Sequence, residues 1–196
     1  MQFKFHMPTK AYFGAGCIEE YKSELASFGK KALIVTGGNS ARRSGALEDI
    51  CNGLKENNVE YFIFDKVENN PSLDTVKAGG DAAKKAGADF IIGIGGGSPI
   101  DAAKAIAVLA VNNIEPIELF TNKFENKPLP VIAIPTTAGT GSEVTPYSVL
   151  MRNDLQTKGS FGNEDTFPKL TFLDPHYTES MPLEITVNTA LDAFSH

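Results

Sequence analysis

Features that mark secreted, membrane and nucleic-acid-binding proteins are missing from this sequence. No stretch of 18 apolar residues occurs, and residues 1–13 contain no long apolar segment of the kind found in signal peptides. There is no long run of Lys or Arg, and the formal net charge is -6. We therefore expect no membrane span, no secretory signal, no nucleic-acid partner and a cytoplasmic location.

Cysteine is also scarce. The 196 residues include two, Cys17 and Cys51, which fits a reducing compartment. We predict that both lie on helix faces and form neither a disulfide nor a metal pair. The remaining composition, 42% hydrophobic and 21% charged, is that of a globular protein, and the length suffices for one sizeable core and part of a second domain.

Short apolar runs alternate along the chain with segments of helical spacing. Such alternation is typical of βαβ units in a parallel sheet. We predict an α/β fold, a doubly wound sheet of about five or six parallel strands over residues 1–180, with segment 91–110 at its centre. The predicted strands are 32–36, 59–64, 89–94, 131–134 and 169–173, and the predicted helices are 45–57, 73–86 and 98–110.

The two ends of this predicted domain are less regular. Residues 3–7 and 10–13 are predicted as a short antiparallel pair at the sheet edge, and 148–151 with 160–161 as a hairpin. A helical pattern begins at residue 182, and the sequence stops within it at His196 without a C-cap. We expect residues 181–196 to be the beginning of a truncated second domain; the alternative is a frayed C-terminal helix.

Three consecutive glycines, at 95 to 97, connect a predicted buried strand to a predicted helix. Ser98 suits the N-cap, Pro99 the first helical position and Asp101 the first turn. A helix that begins at the carboxyl end of parallel strands offers free N–H groups to a phosphate. The G-x-G-x-x-G fingerprint is absent, so the turn alone leaves open whether its glycines approach a ligand or only permit a tight turn.

A second motif, PTTAGTGSEVT at 135–145, follows the fourth parallel strand. Its hydroxyls and glycines stand where a ligand along the sheet edge would meet them. Together with GGGSPIDAAK at 95–104, it resembles the iron-containing (group III) alcohol dehydrogenases, which carry GGGSxxDxAK and PTTxGTGSE. FPKLTFLDP at 167–175 and ALDAFSH at 190–196 are similar to the same family. The resemblance covers the whole chain and is to NADP(H)-dependent, butanol dehydrogenase-like members.

The resemblance implies an oxidoreductase that transfers a hydride between a nicotinamide cofactor and a small primary alcohol or aldehyde, with a divalent metal as Lewis acid. It implies a dehydroquinate synthase-like nucleotide-binding domain followed by an all-helical metal-binding domain, of which residues 181–196 would be the start. The pyrophosphate would lie on the glycine turn, the nicotinamide near Asp101 and the threonine loop, and the ribose near Lys158. The predicted cofactor-binding residues are Gly37, Gly38, Asn39, Ser40, Asn70, Gly96, Gly97, Ser98, Asp101, Thr136, Thr137, Thr140 and Lys158.

Asp192 and His196 stand four residues apart, so both project from one face of a helix. A carboxylate and an imidazole suit Fe²⁺ or Zn²⁺. The resemblance assigns both residues to the catalytic metal site, with two further histidine ligands from a part of the family's chain that is absent here. We expect this chain alone to be largely metal-free and inactive, and the full-length form to be a homo-oligomer. His6 and His176 are predicted to be surface residues.

The choice between NAD(H) and NADP(H) is predicted from the strand that follows the first helix. NAD-preferring members of the family end this strand in V-T-D, whose Asp binds the ribose hydroxyl, whereas residues 35–40 here read VTGGNS. Gly37 removes a carboxylate that would repel a 2′-phosphate, Asn39 and Ser40 can donate hydrogen bonds to it, and Arg42 or Arg43 can add a charge-assisted contact. We predict NADP(H) over NAD(H), with Gly37→Asp reversing the preference.

Two alternatives remain open on the sequence. One is a nucleotide-binding module without catalysis, and the other is a dehydroquinate-synthase-like lyase on the same nucleotide domain. The spacing of Asp192 and His196 disfavours the lyase, because dehydroquinate-synthase-like enzymes have a different pattern of metal ligands. The sequence specifies neither the alcohol or aldehyde nor the metal.

Overall fold

Eight strands and six α-helices are present in residues 2–3 and 6–195, the part of the chain that the computed structural model describes. The strands are β1 (Lys10–Phe13), β2 (Lys31–Thr36), β3 (Glu60–Phe64), β4 (Phe90–Gly95), β5 (Val131–Pro135), β6 (Ser148–Arg152), β7 (Thr157–Phe161) and β8 (Leu170–Leu173). The α-helices are α1 (Cys17–Tyr21), α2 (Ser40–Arg43), α3 (Ala46–Glu56), α4 (Leu73–Ala86), α5 (Gly97–Leu109) and α6 (Leu183–Ser195).

Six strands form one sheet in the order β1-β8-β5-β4-β2-β3, and every neighbouring pair in it is parallel. β3 lies on one side of β2, whereas β4, β5 and β8 follow on the other side. The direction of winding therefore reverses between β2 and β4, which is where ligands bind in open α/β sheets. The predicted doubly wound α/β sheet is confirmed, and β4 is central as predicted.

The core consists of two apolar layers, one on each face of this sheet. Alternate side chains of β4 enter opposite layers, with Ile92 and Ile94 on the side of α1 and α3, and Ile91 on the side of α4 and α5. Burial on both faces explains why β4 is an uninterrupted apolar run. The hairpin of β6 and β7 covers α5 from outside, so almost every α5 residue is buried.

The structure confirms the predicted strands to within a residue or so, and the predicted hairpin pairs Ser148 with Phe161. The predicted antiparallel edge pair is wrong for 10–13, because β1 pairs parallel with β8. Thr9 Oγ1 and Lys10 N continue this pairing by donating to the carbonyls of residues 168 and 169. Residues 6–9 form no strand, and residues 4 and 5 lie outside the described part of the chain.

Cys17 is buried in α1 and Cys51 is half-buried in α3, and both are free thiols, as predicted. His176 is exposed, and so is His6, whose ring lies edge-on to Phe167. Within the described residues, no helix has the length and apolar character needed to cross a membrane.

Candidate functional site

The glycine turn lies at the carboxyl edge of the sheet, between β4 and α5. Gly95 has φ 144°, and a Cβ there would stand 2.7 Å from Pro99 Cγ, so the turn itself requires glycine at this position. Gly96 and Gly97 have no such backbone requirement. Their Cβ positions instead lie 3.3 Å from Thr137 Oγ1 and from Thr140 Cγ2, respectively. These two glycines therefore allow the threonine loop to approach the start of α5.

The helix begins one residue earlier than predicted. Gly96 is the N-cap, in an extended conformation with ψ −162°, so Ser98 lies inside the first turn and its Oγ accepts a hydrogen bond from Asn70 N at 3.2 Å. Asp101 lies beyond the first turn and is buried, so its predicted interaction with the helix dipole is wrong. The N–H groups of Gly97 and Ser98 remain among the first-turn donors without intrahelical partners.

A cleft of about 550 Å³ opens at the reversal of winding between β2 and β4. The loops that follow β2, β3, β4 and β5 all contribute to this glycine cleft, because parallel strands present their carboxyl ends at one edge. Its lining residues are Gly37, Gly38, Asn39, Ser40, Val67, Glu68, Asn69, Gly96, Gly97, Ser98, Pro99, Thr137, Thr140 and Thr189.

A second cleft, of about 830 Å³, lies between the start of α5 and the β6–β7 hairpin. The lining residues of this hairpin cleft are Asn70, Gly97, Ser98, Asp101, Gly139, Thr140, Gly141, Ser142, Thr145, Tyr147, Val149, Lys158, Ser160 and Asp192. Gly97, Ser98 and Thr140 line both clefts. The two clefts therefore meet at the N-terminus of α5 and offer one elongated site.

Of the predicted cofactor-binding residues, all but Thr136 line one of the two clefts. Thr136 is buried at the end of β5, where its N–H donates to Gly95 O at 2.8 Å. Asp192 lines the hairpin cleft, and His196 lies outside the described residues. Sequence reasoning missed residues 67–69 and the hairpin-side residues Tyr147 and Val149. Residues 67–69 directly follow a predicted parallel strand, which is the signal that would have found them.

Two buried hydroxyls at this edge have no hydrogen-bond partner in the described structure. They are Thr36 Oγ1, at the end of β2, and Thr136 Oγ1, just after β5, and each residue is 2% exposed. Unpaired buried hydroxyls are uncommon, because burial removes their hydrogen bonds to water and no hydrogen bond within the protein replaces them. Neither residue lines the glycine cleft or the hairpin cleft, so these hydroxyls do not bear on which ligand binds there.

The loop after β3 crosses directly over Gly37. Val67 N donates to Thr36 O at 3.3 Å, and a Cβ at residue 37 would overlap the Val67 carbonyl oxygen. The expectation that Gly37→Asp would reverse cofactor preference is therefore wrong as a test, because an aspartate there would first displace the backbone of Val67. In this structure, the Val67 carbonyl oxygen occupies the space that a side chain at position 37 would need.

We expect Gly37→Ala to lower the free energy of unfolding by roughly 2 kcal/mol, as overpacking against backbone does. Urea denaturation followed by circular dichroism measures the change. Gly97→Ala is the matched control, since its Cβ would meet only Thr140 side-chain atoms, at 3.3 Å or more, and its stability should stay within about 0.5 kcal/mol of wild type. A Gly37→Ala protein as stable as wild type would contradict the close crossing of Val67.

Neither arginine of α2 lines the glycine cleft. Arg42 Nη2 lies 3.9 Å from Asp65 Oδ2, and Arg43 Nη2 donates to Ser180 O at 3.4 Å. The structure thus does not place the predicted charge-assisted contact at the cleft. Asn39 and Ser40 are the residues of this segment that remain available to a 2′-phosphate.

A buried ion pair on α5 borders the hairpin cleft, with Lys104 Nζ 3.6 Å from Asp101 Oδ1. Burial lowers the pKa of Lys104 to about 8, although the Asp101 carboxylate opposes this shift. Burial likewise raises the pKa of Asp101, against the effect of the Lys104 ammonium. Neither Asp101 nor Lys104 was predicted from the sequence as a member of a buried ion pair.

The described residues alone do not form a metal centre. No group of three or more His, Cys, Asp and Glu side chains among them is arranged to hold a metal ion. Asp192, at the wall of the hairpin cleft, is the one predicted ligand that the structure describes. A complete site would need ligands beyond these residues.

Residues 8–175 match the family described as iron-containing alcohol dehydrogenase. The NADH-dependent butanol dehydrogenase A of Clostridium acetobutylicum is 34% identical over 100% of this chain and 51% of its own length. The NADPH-dependent butanol dehydrogenase of Clostridium saccharobutylicum is 34% identical over 98% of this chain and 50% of its own length. The crystal structure of an iron-containing alcohol dehydrogenase from Thermotoga maritima superposes with a TM-score of 0.94 at 43% identity, covering 100% of this chain and 54% of that one. The chain thus spans about half the length of the relatives it matches.

Proposed function

Because this chain belongs to the iron-containing alcohol dehydrogenase family, we propose that it binds NADP(H) along the carboxyl edge of its sheet. In a protein of its relatives' full length, it would position the nicotinamide for hydride transfer to or from a small primary alcohol or aldehyde. The alternative of a dehydroquinate-synthase-like lyase is not supported by the family match. The remaining alternative, a nucleotide-binding module without catalysis, is distinguished from a dehydrogenase by the experiment below.

The observation that supports this proposal is the meeting of two clefts at the start of α5. No Lys or Arg is among the described residues that line the glycine cleft, so backbone N–H groups and uncharged polar side chains are its means of holding an anion. Gly97 and Ser98 supply such donors at the positive end of the helix dipole. A pyrophosphate there would leave one half of the dinucleotide in each cleft, with the adenosine ribose toward residues 37–40.

The hairpin cleft is the proposed place of the nicotinamide and the substrate. Its wall combines polar side chains with Tyr147 and Val149, which suits a small organic substrate. Asp192 and His196 are proposed as two ligands of Fe²⁺ or Zn²⁺ in the longer protein. When bound, such a metal would polarise the alcohol oxygen as a Lewis acid. The residues that line the two clefts would position the cofactor beside that metal.

The proposed preference for NADP(H) depends on the charges around residues 37–40. Glu68 is the only carboxylate among the described residues that line the glycine cleft, and it accepts hydrogen bonds from Ser72 N and Thr75 Oγ1. It is thus engaged at the start of α4. With no acid at position 37, and with Asn39 and Ser40 as donors, a 2′-phosphate meets no carboxylate in this segment. The relatives include both NADH- and NADPH-dependent enzymes, so the test must compare the two cofactors.

Fluorescence titration with NADPH and with NADH tests the binding half of the proposal. We expect both reduced cofactors to bind, NADPH with the lower Kd. Absorbance at 340 nm with butanol and NADP⁺, in a protein of the relatives' length, then tests the hydride-transfer half. Binding without turnover there would indicate a module without catalysis, and no binding of either cofactor would overturn the proposal.

Asn39→Asp is expected to raise the Kd for NADPH about tenfold or more, while the Kd for NADH changes by less than about threefold. The substitution is nearly isosteric, Asn39 makes no side-chain cap hydrogen bond to α2, and the 2′-phosphate is the only charged group by which the two cofactors differ. Asn52→Asp, at an exposed position of α3, is the control for net charge and should change neither Kd. An unchanged ratio of the two Kd values in Asn39→Asp would argue against 2′-phosphate recognition here.

A further inference from the structure

Lys104 is an unusual residue for the middle of a buried helix. It is 1% exposed and stands between alanines on α5, whose surroundings are otherwise largely apolar. An ammonium loses its hydration in such a place, so a methionine of similar length would pack there at less cost. Packing alone therefore does not account for a lysine at this position.

The Lys104 ammonium connects α5 to the loop that follows β5. Its Nζ donates to Ser142 Oγ at 2.9 Å and to Tyr147 O at 2.5 Å, so it contacts the loop at two points five residues apart. Ser142 Oγ in turn donates to Asp101 Oδ1 at 2.5 Å. Lysine, serine and aspartate thus form a closed triangle that spans the helix and the loop.

The same triangle extends to the hairpin on one side and to the glycine turn on the other. Val149 N donates to Asp101 Oδ2 at 3.0 Å, and Ser148 Oγ donates to Asp101 O at 2.7 Å. Toward the turn, Ser142 N donates to Thr140 Oγ1 at 3.4 Å. Thr140 Cγ2 lies 3.3 Å from where a Gly97 Cβ would stand. A continuous set of contacts therefore runs from Lys104 to the wall shared by both clefts.

We propose that Lys104 is a positioning residue for the dinucleotide, acting through Ser142 to hold the threonine loop against the start of α5. Lys104 itself lines neither cleft, so its effect on a ligand must pass through its neighbours. Of these neighbours, the loop is the one that leads through Thr140 to the wall shared by both clefts. The proposal rests on the proposed function, since it assigns Lys104 a part in the same cofactor site. It predicts that loss of the ammonium widens the site between Gly97 and Thr140 and weakens cofactor binding.

The test compares NADPH binding in Lys104→Met, Ser142→Ala and the double variant. We expect the Kd to rise about tenfold in Lys104→Met and somewhat less in Ser142→Ala. The double variant should bind no more weakly than Lys104→Met, because both changes break one connection. Ser142→Thr retains the hydroxyl and should restore near wild-type binding, which a general loss of packing would not do.

Lys84→Met is the matched control, because Lys84 also donates to a backbone carbonyl, Asn112 O at 3.3 Å, but at the far end of α5. It should lose some thermal stability without a change in Kd. If Lys104→Met does not fold, Lys104→Gln, which keeps an N–H donor but removes the charge, takes its place in the same comparison. If the wild-type protein binds NADPH and the Kd is unchanged in Lys104→Met and in Ser142→Ala, this inference is overturned and the proposed function is not. A wild-type protein that binds neither cofactor overturns the proposed function and this inference with it.

Discussion

Gly97→Leu is expected to raise the Kd for NADPH by at least about 100-fold, or ~2.7 kcal/mol, with little change in the circular-dichroism spectrum. The residue has an ordinary backbone conformation, so a side chain there does not strain the turn. A Cβ fits 3.3 Å from Thr140 Cγ2, but the rest of a leucine must displace Thr140 or enter the junction of the two clefts. Either outcome prevents a pyrophosphate from reaching the Gly97 and Ser98 N–H groups. Two hydrogen bonds to a charged group, at about 1.5–3 kcal/mol each, account for the expected loss.

The control is Ala110→Leu, which adds the same side chain just beyond the other end of α5, where Ala110 is half-buried. It should bind NADPH like wild type, within about twofold. Fluorescence titration gives both Kd values. If Gly97→Leu bound NADPH as tightly as Ala110→Leu, the glycines would serve only to let the threonine loop pack, and the proposed pyrophosphate site would be wrong.

Asp192→Ala, in a protein of the relatives' full length, is expected to remove bound metal and to lower kcat by at least about 100-fold. Its effect on the Kd for NADPH should be much smaller, because Asp192 is not among the residues of the glycine cleft, where the pyrophosphate donors and the proposed 2′-phosphate site lie. Metal content by atomic emission, together with the 340 nm assay, separates the two effects.

Glu184→Ala provides the comparison on the same helix. It also removes one carboxylate from α6, but at an exposed position in the first turn. Metal content and kcat should both remain near wild type. Unchanged metal stoichiometry in Asp192→Ala would show that this carboxylate is not a ligand, and the proposed half-site with His196 would then have to be abandoned.

The sheet and the glycine turn were predictable because their signals are local. A strand buried on both faces must be apolar throughout, which is visible in FIIGIG, and a glycine turn after such a strand must lie at the carboxyl edge. The hairpin could be predicted for the same reason, since its two strands are close in sequence. Such features need no knowledge of distant parts of the chain.

What could not be predicted depends on contacts between segments far apart in sequence. β1 pairs with β8, about 160 residues later, so its parallel direction is not recorded in residues 10–13. The crossing of Val67 over Gly37 involves two different loops, and so does the network of Lys104 with Ser142 and Tyr147. Sequence motifs identify the glycines, but only the fold shows that protein backbone occupies the space beside Gly37.

The central claim is that a dinucleotide lies along the carboxyl edge of the sheet, with its pyrophosphate at the start of α5. Amide chemical-shift mapping of the protein during titration with NADPH tests it most directly. We expect the largest shifts at residues 37–40, 67–70, 96–98 and 137–142, on both sides of the glycine turn. Shifts confined to the separate cavity formed by residues 122–128 with Asn163 and Asp165, or no shifts at saturating NADPH, would contradict the claim.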